Sequence, residues 1–317
     1  MTDSPLPASP SIHDLPIDNM RGAFWMLAGV VFFAATAILI KYAGQTLHTF
    51  EIVFFRCVFG MIVVIPLLAQ SGLSALRVHK PAIHILRVFC AVGGMMGGFY
   101  ALTHLELATA ISLSFTRPLF MILLAVLFLG ERIRWRRGLA TLVGFTGVLI
   151  MVQPGSVNFE PAFATGLFAA LAVAGALVTV KMLATHDAPV TIMLTFSIGT
   201  VVVSVIPATL VWQMPTGNEW LILMGLGTVA SLGQYSMIRA FTIGEATVMS
   251  PIDYLQILLG SSAGYFLFQE RPSVSTFIGA VIIVGATLYI VLRGAKMQAP
   301  PPLPPDPGAA SLKGCGV

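Results

Sequence analysis

Residues 100–150 of this chain read YALTHLELATAISLSFTRPLFMILLAVLFLGERIRWRRGLATLVGFTGVLI, and residues 239–290 read RAFTIGEATVMSPIDYLQILLGSSAGYFLFQERPSVSTFIGAVIIVGATLYI. The second stretch repeats the first. At a constant offset of 139 the matches are Ala101 with Ala240, Glu106 with Glu245, Glu131 with Glu270 and Arg132 with Arg271. After a two-residue insertion, Gly138 matches Gly279 and Gly144 matches Gly285. So many matches in one register indicate an internal repeat rather than a shared hydrophobic composition.

Most of the chain around these two stretches is apolar. Of its 317 residues 57% are hydrophobic and 9% are charged, with a mean hydropathy of +0.91, whereas a soluble domain carries about 25% charged residues. Lipid is the solvent that suits such a surface, and in lipid the backbone must satisfy its own hydrogen bonds. The sequence therefore predicts an all-α membrane protein. The ten predicted spans are residues 22–40, 52–69, 82–102, 107–129, 138–152, 162–183, 190–212, 220–241, 246–268 and 274–292.

Five spans fall in each copy of the repeat, and an odd number makes the two copies enter the membrane from opposite sides. We predict two inverted five-helix repeats, residues 21–153 and 162–293. Two such bundles can open a central site to one side of the membrane and then to the other. The flanking segments 1–20 and 298–317 are rich in Pro or Gly and are predicted to be disordered.

The basic residues predict the orientation, because Lys and Arg in short loops favour the cytoplasmic side. With the N-terminus inside, Lys41 and Arg271 face outward, Arg56 and Arg117 lie within helices, and the other thirteen of the 17 Lys and Arg are cytoplasmic. We expect a multi-pass inner-membrane protein with both termini in the cytoplasm. The first twenty residues lack a basic region followed by an apolar stretch, so we expect no cleaved secretory signal.

Several motifs resemble the drug/metabolite transporter superfamily, and within it the EamA type. They are FFRCVFG at residues 54–60, PLFMILLAVLFLGER at 118–132, FLFQER at 266–271 and the Gly-spaced fifth and tenth spans. The resemblance covers residues 20–293, and the segment 250–270 is similar to the branch of proteobacterial S-adenosylmethionine and riboflavin carriers. It implies a ten-helix secondary carrier of small metabolites, such as amino acids, amines, nucleotide-like compounds or vitamins.

Three of the charges within the predicted spans, Arg56, Arg117 and Asp253, are weighed as site residues, because charges in the hydrocarbon tend to mark a pathway. Arg117 is about 10 residues, or roughly 15 Å, into the fourth span, which is the membrane midplane. Pro118 cannot donate to the helix ladder and is expected to kink the helix and free a carbonyl. Asp253 aligns with Ser114 in the repeat. Arg117 and Asp253 are interpreted as a substrate-binding pair, with a structural ion pair between the halves as the alternative. Arg56, nearer the outer interface, either lines the pore or pairs with Glu51.

Amphipathic rings and amides in helices three, four, eight and nine are predicted to complete a cavity for a flat, partly polar solute. The substrate-binding candidates are Arg117, Asp253, Tyr254, Gln256, Phe115, Tyr100, Gln234, Tyr235 and Arg56, with Phe99 beside them. Gly94 and Gly98 have the spacing of closely packed membrane helices. Lys41 and Lys181 are predicted helix-end anchors, and Glu131 and Glu270 are predicted to cap or tie equivalent turns.

The sequence contains no HExxH or Walker A motif, and its six His are scattered. Its three cysteines have no CxxC or metal-binding spacing. We therefore expect no enzyme, no cofactor, no metal and no nucleic-acid partner. The predicted function is alternating-access uptake of a vitamin such as riboflavin or an adenosyl metabolite such as S-adenosylmethionine. Export of amino acids or amines stays open, as do a membrane-embedded transferase or a non-transporting partner subunit, and the oligomeric state, a homodimer included.

Overall fold

The computed structural model describes residues 18–71, 78–129, 135–153, 160–183, 186–187, 189–243, 249 and 252–298. All regular secondary structure in these residues is α-helix. The helices are α1 Asn19–Ala43, α2 Thr49–Ser71, α3 Pro81–His104, α4 Leu107–Ser114, α5 Arg117–Leu129, α6 Trp135–Val152, α7 Pro161–Leu183, α8 Pro189–Leu210, α9 Gly217–Ile243, α10 Leu255–Phe268 and α11 Val274–Gln298. Nearly all of the two predicted disordered tails, and the predicted capping residue Glu131, lie outside this description.

The described helices follow the ten predicted spans, with one span divided. The predicted fourth span is two helices, α4 and α5, separated by a turn at residues 115–116. The predicted ninth span is described from residue 252, with a turn at Tyr254 before α10. Within the described residues, six segments are long and apolar enough to cross a membrane, and three shorter helices are also apolar. The prediction of an all-α membrane protein is confirmed.

Large apolar side chains cover the outside of the bundle. Phe24 is 69% exposed, Leu127 75% and Phe266 78%. Helices that are apolar on every side are typical of a protein that has lipid around it and other helices within it. These outward side chains therefore sit where acyl chains would surround the protein.

Contacts at the helix ends define two faces of the bundle. On the N-terminal face, the backbone N–H of Asp18 donates to the carbonyl of Ile243 at 3.0 Å, so α1 begins where α9 ends. On the opposite face, Lys41 near the end of α1 forms an ion pair with Glu270, just after α10. Glu51 in the first turn of α2 accepts a 2.6 Å hydrogen bond from the backbone of Gln213, before α9, on that same face. Helices α1 and α10 therefore end at the same face, and α9 ends at the face where α1 begins.

Three helix pairs, α1 with α9, α3 with α7 and α6 with α11, make the most extensive contacts of the bundle. Glycines allow the closest of them. A Cβ at Gly97 would lie 2.7 Å from the carbonyl oxygen of Thr165 on α7, and one at Gly94 would lie 2.8 Å from Val173. At Gly98 the nearest atom would be 3.6 Å away, an ordinary contact. The predicted close-packing pair of Gly94 and Gly98 is thus right for Gly94, but its partner in close contact is Gly97.

Candidate functional site

A cavity of about 250 Å³ lies inside the bundle. Its walls are mostly small and apolar, and its polar side chains are Thr36, Arg56, Ser114, Arg117 and Gln256. The predicted third, fourth, eighth and ninth spans all contribute to it. Helices α1, α2 and α7 contribute as well, so the cavity is enclosed by more of the bundle than the sequence indicated.

Arg117 is positioned by the break between α4 and α5. Pro118 has no N–H to donate to the carbonyl of Ser114, four residues earlier. The Nε of Arg117 donates to that carbonyl at 2.8 Å instead. The kink and the freed carbonyl expected from Pro118 are therefore present, and the guanidinium occupies the freed acceptor at the edge of the cavity.

The carbonyl of Phe115 is also released from the helix ladder, and Thr287 of α11 donates to it at 3.3 Å. The Phe115 ring packs against the ring of Tyr254, with centroids 4.8 Å apart. Tyr254 occupies the turn that precedes α10. The two helix interruptions therefore meet beside the cavity.

Asp253 lies immediately before this turn and is partly buried. Asp253 and Arg117 are close enough to interact electrostatically. They do not form an ion pair within 4 Å, in contrast to the pairs that other described residues make at the helix ends.

Arg56 and Gln256 both line the cavity. The Nη1 of Arg56 donates to Met95 Sδ at 3.2 Å, across from α2 to α3. Glu51, the alternative partner for Arg56, is fully buried and bonds to the backbone of Gln213 and His48. The structure therefore puts Arg56 at the cavity wall rather than on Glu51.

The other predicted site residues divide into two groups. Phe99 lines the cavity, and Phe115 and Tyr254 adjoin it. Tyr100 stacks on His104 with centroids 3.8 Å apart, near the opposite face. Gln234 and Tyr235 are exposed on α9, where Tyr235 contacts the ring of Trp25, so the structure does not bring them to the cavity.

A polar cluster at the opposite face was only partly predictable. Lys41 pairs with Glu270 and donates to the carbonyl of Leu105, while Glu270 accepts the N–H of Leu107 at 2.8 Å. Glu270 thus caps α4, in agreement with the predicted capping role. Lys41 forms a largely buried ion pair with Glu270, so it does more than anchor the end of a helix. Burial and the negative charge of Glu270 raise the pKa of the neighbouring Glu106.

A second cluster, at the N-terminal face, brings together two of the histidines that are scattered in the sequence. Asp187, between α7 and α8, accepts hydrogen bonds from His79 Nδ1 at 2.7 Å, His79 N–H at 3.1 Å and His84 Nε2 at 3.1 Å. The His79 hydrogen bond lowers the pKa of Asp187 to about 2. The Nδ1 of His84 lies 2.8 Å from Thr195 Oγ1, and Thr195 also donates to the carbonyl of Thr191.

This second cluster ties the start of α3 to the start of α8. Asp187 is more than a hundred residues from both histidines in the chain, so no local motif shows the cluster. The central cavity has none of them among its lining residues. We interpret the cluster as a structural link between helices.

Interrupted helices that meet at a cavity, with ionisable side chains inside the membrane, are features of membrane transporters. The comparisons with known proteins agree. The profile of the EamA-like transporter family matches residues 20–153 and again residues 161–292. The chain belongs to the EamA-like transporter family.

Relatives of this chain are named for different substrates. An S-adenosylmethionine uptake transporter of Rickettsia felis is 36% identical to this chain, over 88% of this chain and 95% of the relative. A riboflavin transporter of Brucella anthropi is 31% identical, over 84% of this chain and 96% of the relative. A pseudopaline exporter of Pseudomonas aeruginosa is 34% identical, over 81% of this chain and 91% of the relative.

Proposed function

We propose that this protein is a secondary carrier of the inner membrane that imports a zwitterionic adenosyl metabolite such as S-adenosylmethionine by alternating access. The observation that carries the proposal is the presence of both charge signs at this place, with Arg56 and Arg117 in the cavity wall and Asp253 close enough to Arg117 to interact with it electrostatically. In this proposal the two guanidinium groups bind the carboxylate of the substrate. Asp253 attracts its ammonium or sulfonium group, and the small apolar wall accommodates the adenine ring.

The inverted repeat is the mechanical part of the proposal. In the inverted repeat, α1 of the first half is equivalent to α7 of the second, and α3 is equivalent to α9. The contact between α1 and α9 is therefore equivalent to the contact between α7 and α3. Both of these contacts are extensive. Helices α6 and α11 are equivalent to each other, and they are also in extensive contact. This equivalence supports two related bundles that exchange conformations around the cavity. Both termini are placed in the cytoplasm, as the basic residues indicate.

Labelling of engineered cysteines tests the inversion directly. In a cysteine-free background, a cysteine at position 131 should react only with reagent supplied from the cytoplasm, and one at position 270 only with reagent from outside. Cysteines at positions 3 and 312 should react from the cytoplasm. Reaction of positions 131 and 270 from the same side would contradict the inverted repeat, and reaction of position 3 from outside would reverse the orientation.

Transport by the purified chain in proteoliposomes tests the function. We expect saturable uptake of radiolabelled S-adenosylmethionine that unlabelled substrate inhibits and that is absent from liposomes without protein. Uptake of riboflavin instead would favour the second candidate, which the riboflavin-transporting relative supports. Absence of transport by the chain alone, with recovery on adding another subunit, would favour a partner subunit, and a chemically altered product would indicate a transferase.

The direction of transport needs its own measurement, because one relative is an exporter. Vesicles of known sidedness, loaded with a labelled panel of amino acids, amines and adenosyl compounds, distinguish the two directions. Net movement of the label toward the cytoplasmic side of the membrane supports import. Net efflux of an amino acid or amine would favour the export alternative.

A further inference from the structure

A second cavity lies on the outer side of the bundle, away from the proposed transport site. It is a groove of about 500 Å³ between α6 and α11. Its floor is made of small residues, Ala140 on α6 and Gly285 and Ala286 on α11, and Leu139 and Val143 form one wall. A Cβ added at Gly285 would meet no atom within 4 Å, so the groove is open at that point.

The groove occupies one half of the α6–α11 interface. Nearer the opposite face the two backbones touch, since a Cβ at Gly279 would lie 2.7 Å from the carbonyl oxygen of Gly147. Toward the N-terminal face the groove ends at two aromatic residues, Trp135 and Tyr289. Aromatic residues of this kind are enriched at the membrane interface. The groove therefore runs from the interface into the hydrocarbon region for about 12 Å, the rise of eight helical residues.

Each of the two helices has a basic residue about one turn beyond the interfacial end of the groove. Arg136 precedes Ala140 by four residues on α6, and Arg293 follows Tyr289 by four residues on α11. Residues four apart lie on the same side of a helix, so both arginines lie on the helix sides that line the groove. Neither α6 nor α11 contains an Asp or a Glu. All charged residues that these two helices contribute are therefore basic.

We propose that this groove binds one anionic phospholipid, with an acyl chain between α6 and α11 and its phosphate near Arg136 and Arg293. An acyl chain suits the apolar floor, and basic pockets between membrane helices bind anionic headgroups. A second copy of this chain is a poorer occupant, because a twofold contact would bring the same patch of each copy, arginines included, against itself.

Native mass spectrometry of the purified protein tests the proposal. In equimolar competition between phosphatidylglycerol and phosphatidylcholine, we expect one retained lipid and a preference for phosphatidylglycerol of at least about fivefold, the contribution of one basic residue near a headgroup. The double variant Arg136→Gln/Arg293→Gln should lose most of this preference. Arg136→Lys/Arg293→Lys should keep it, which separates charge from folding defects.

A groove-filling variant tests the position of the acyl chain. Gly285→Leu should reduce retention of both lipids several-fold, since Gly285 lines the groove and a Cβ there would meet no protein atom within 4 Å. Gly225→Leu on α9 is the matched control, because a Cβ there also meets nothing within 4 Å. Equal retention of both lipids by the natural protein, or an unchanged preference in the Gln variant, would overturn the proposal. A dimer that Gly285→Leu dissociates would show that a second copy is the occupant.

Discussion

The rings of Phe115 and Tyr254 pack against each other with centroids 4.8 Å apart and planes tilted by 36°. The two residues are separated by 139 positions, the offset of the internal repeat. Residues equivalent in the two halves are therefore in contact with each other, as expected for residues beside a twofold axis. Each also marks an interruption of its helix. In the proposed inverted repeat, the axis that relates the halves passes next to the cavity that both halves line.

Removal of the charge of Arg117 or of Asp253 should strongly reduce transport. For Arg117→Ala and Asp253→Asn we expect transport to fall by roughly 10- to 150-fold, because a charge-assisted hydrogen bond contributes about 1.5 to 3 kcal/mol. Initial uptake rates in proteoliposomes measure the effect. Arg239→Ala, on the outside of α9 beside Trp25, is the control and should transport normally. Normal transport by both cavity variants would remove these residues from the site.

The Lys41–Glu270 ion pair should be important for stability. Its side chains are 13% and 11% exposed, so Lys41→Met leaves a largely buried, unpaired carboxylate. We expect a loss of about 3 to 5 kcal/mol. The double variant Lys41→Met/Glu270→Gln should lose less than the sum of the single variants. Denaturation in detergent, followed by circular dichroism, gives these values.

The exposed pair of Arg21 and Asp18 is the matched control for this experiment. Its side chains are 81% and 40% exposed. Arg21→Met should change stability by less than about 1 kcal/mol, because solvent screens exposed pairs. An effect of Lys41→Met as small as that of Arg21→Met would show that the Lys41–Glu270 pair contributes little.

Two neighbouring glycines of α3 should respond differently to alanine. Gly97→Ala would place its Cβ 2.7 Å from a backbone carbonyl of α7, which cannot easily move. We expect a loss of about 1 to 3 kcal/mol. Gly93→Ala meets only the Phe168 ring at 3.5 Å and should be nearly neutral. Melting temperatures of the two variants decide this, and equal melting temperatures would contradict the tight α3–α7 contact.

The Asp187 cluster should add stability that depends on pH. The pKa of Asp187 falls from its ordinary value of 3.8 to about 2 in the folded protein. A lowered carboxyl pKa stabilises the fold fully above about pH 4, and this stabilisation disappears as the pH falls from about 4 to 2. The natural protein should therefore be more stable than Asp187→Asn at pH 5, with the difference shrinking toward pH 2. A difference that stays constant over this range would rule out the ionised Asp187 as its source.

Local features of the sequence were enough for several parts of this protein. The apolar spans were predictable because a helix in lipid needs an unbroken run of apolar residues. The break beside Arg117 was predictable because Pro118 lacks an N–H whatever surrounds it. The capping role of Glu270 followed from its place at a turn in the repeat, and the EamA family membership followed from motifs along the chain.

The side of each helix that faces the interior was decided only by the tertiary structure. In a membrane protein, lipid and neighbouring helices are both apolar, so no polar stripe in the sequence distinguishes them. For that reason Tyr235 was predicted in the cavity but lies on the outside of α9, and Gly97 rather than Gly98 makes the close contact. The link from Asp187 to His84 joins residues far apart in the chain, and only the packing of α3 beside α7 and α8 brings them together.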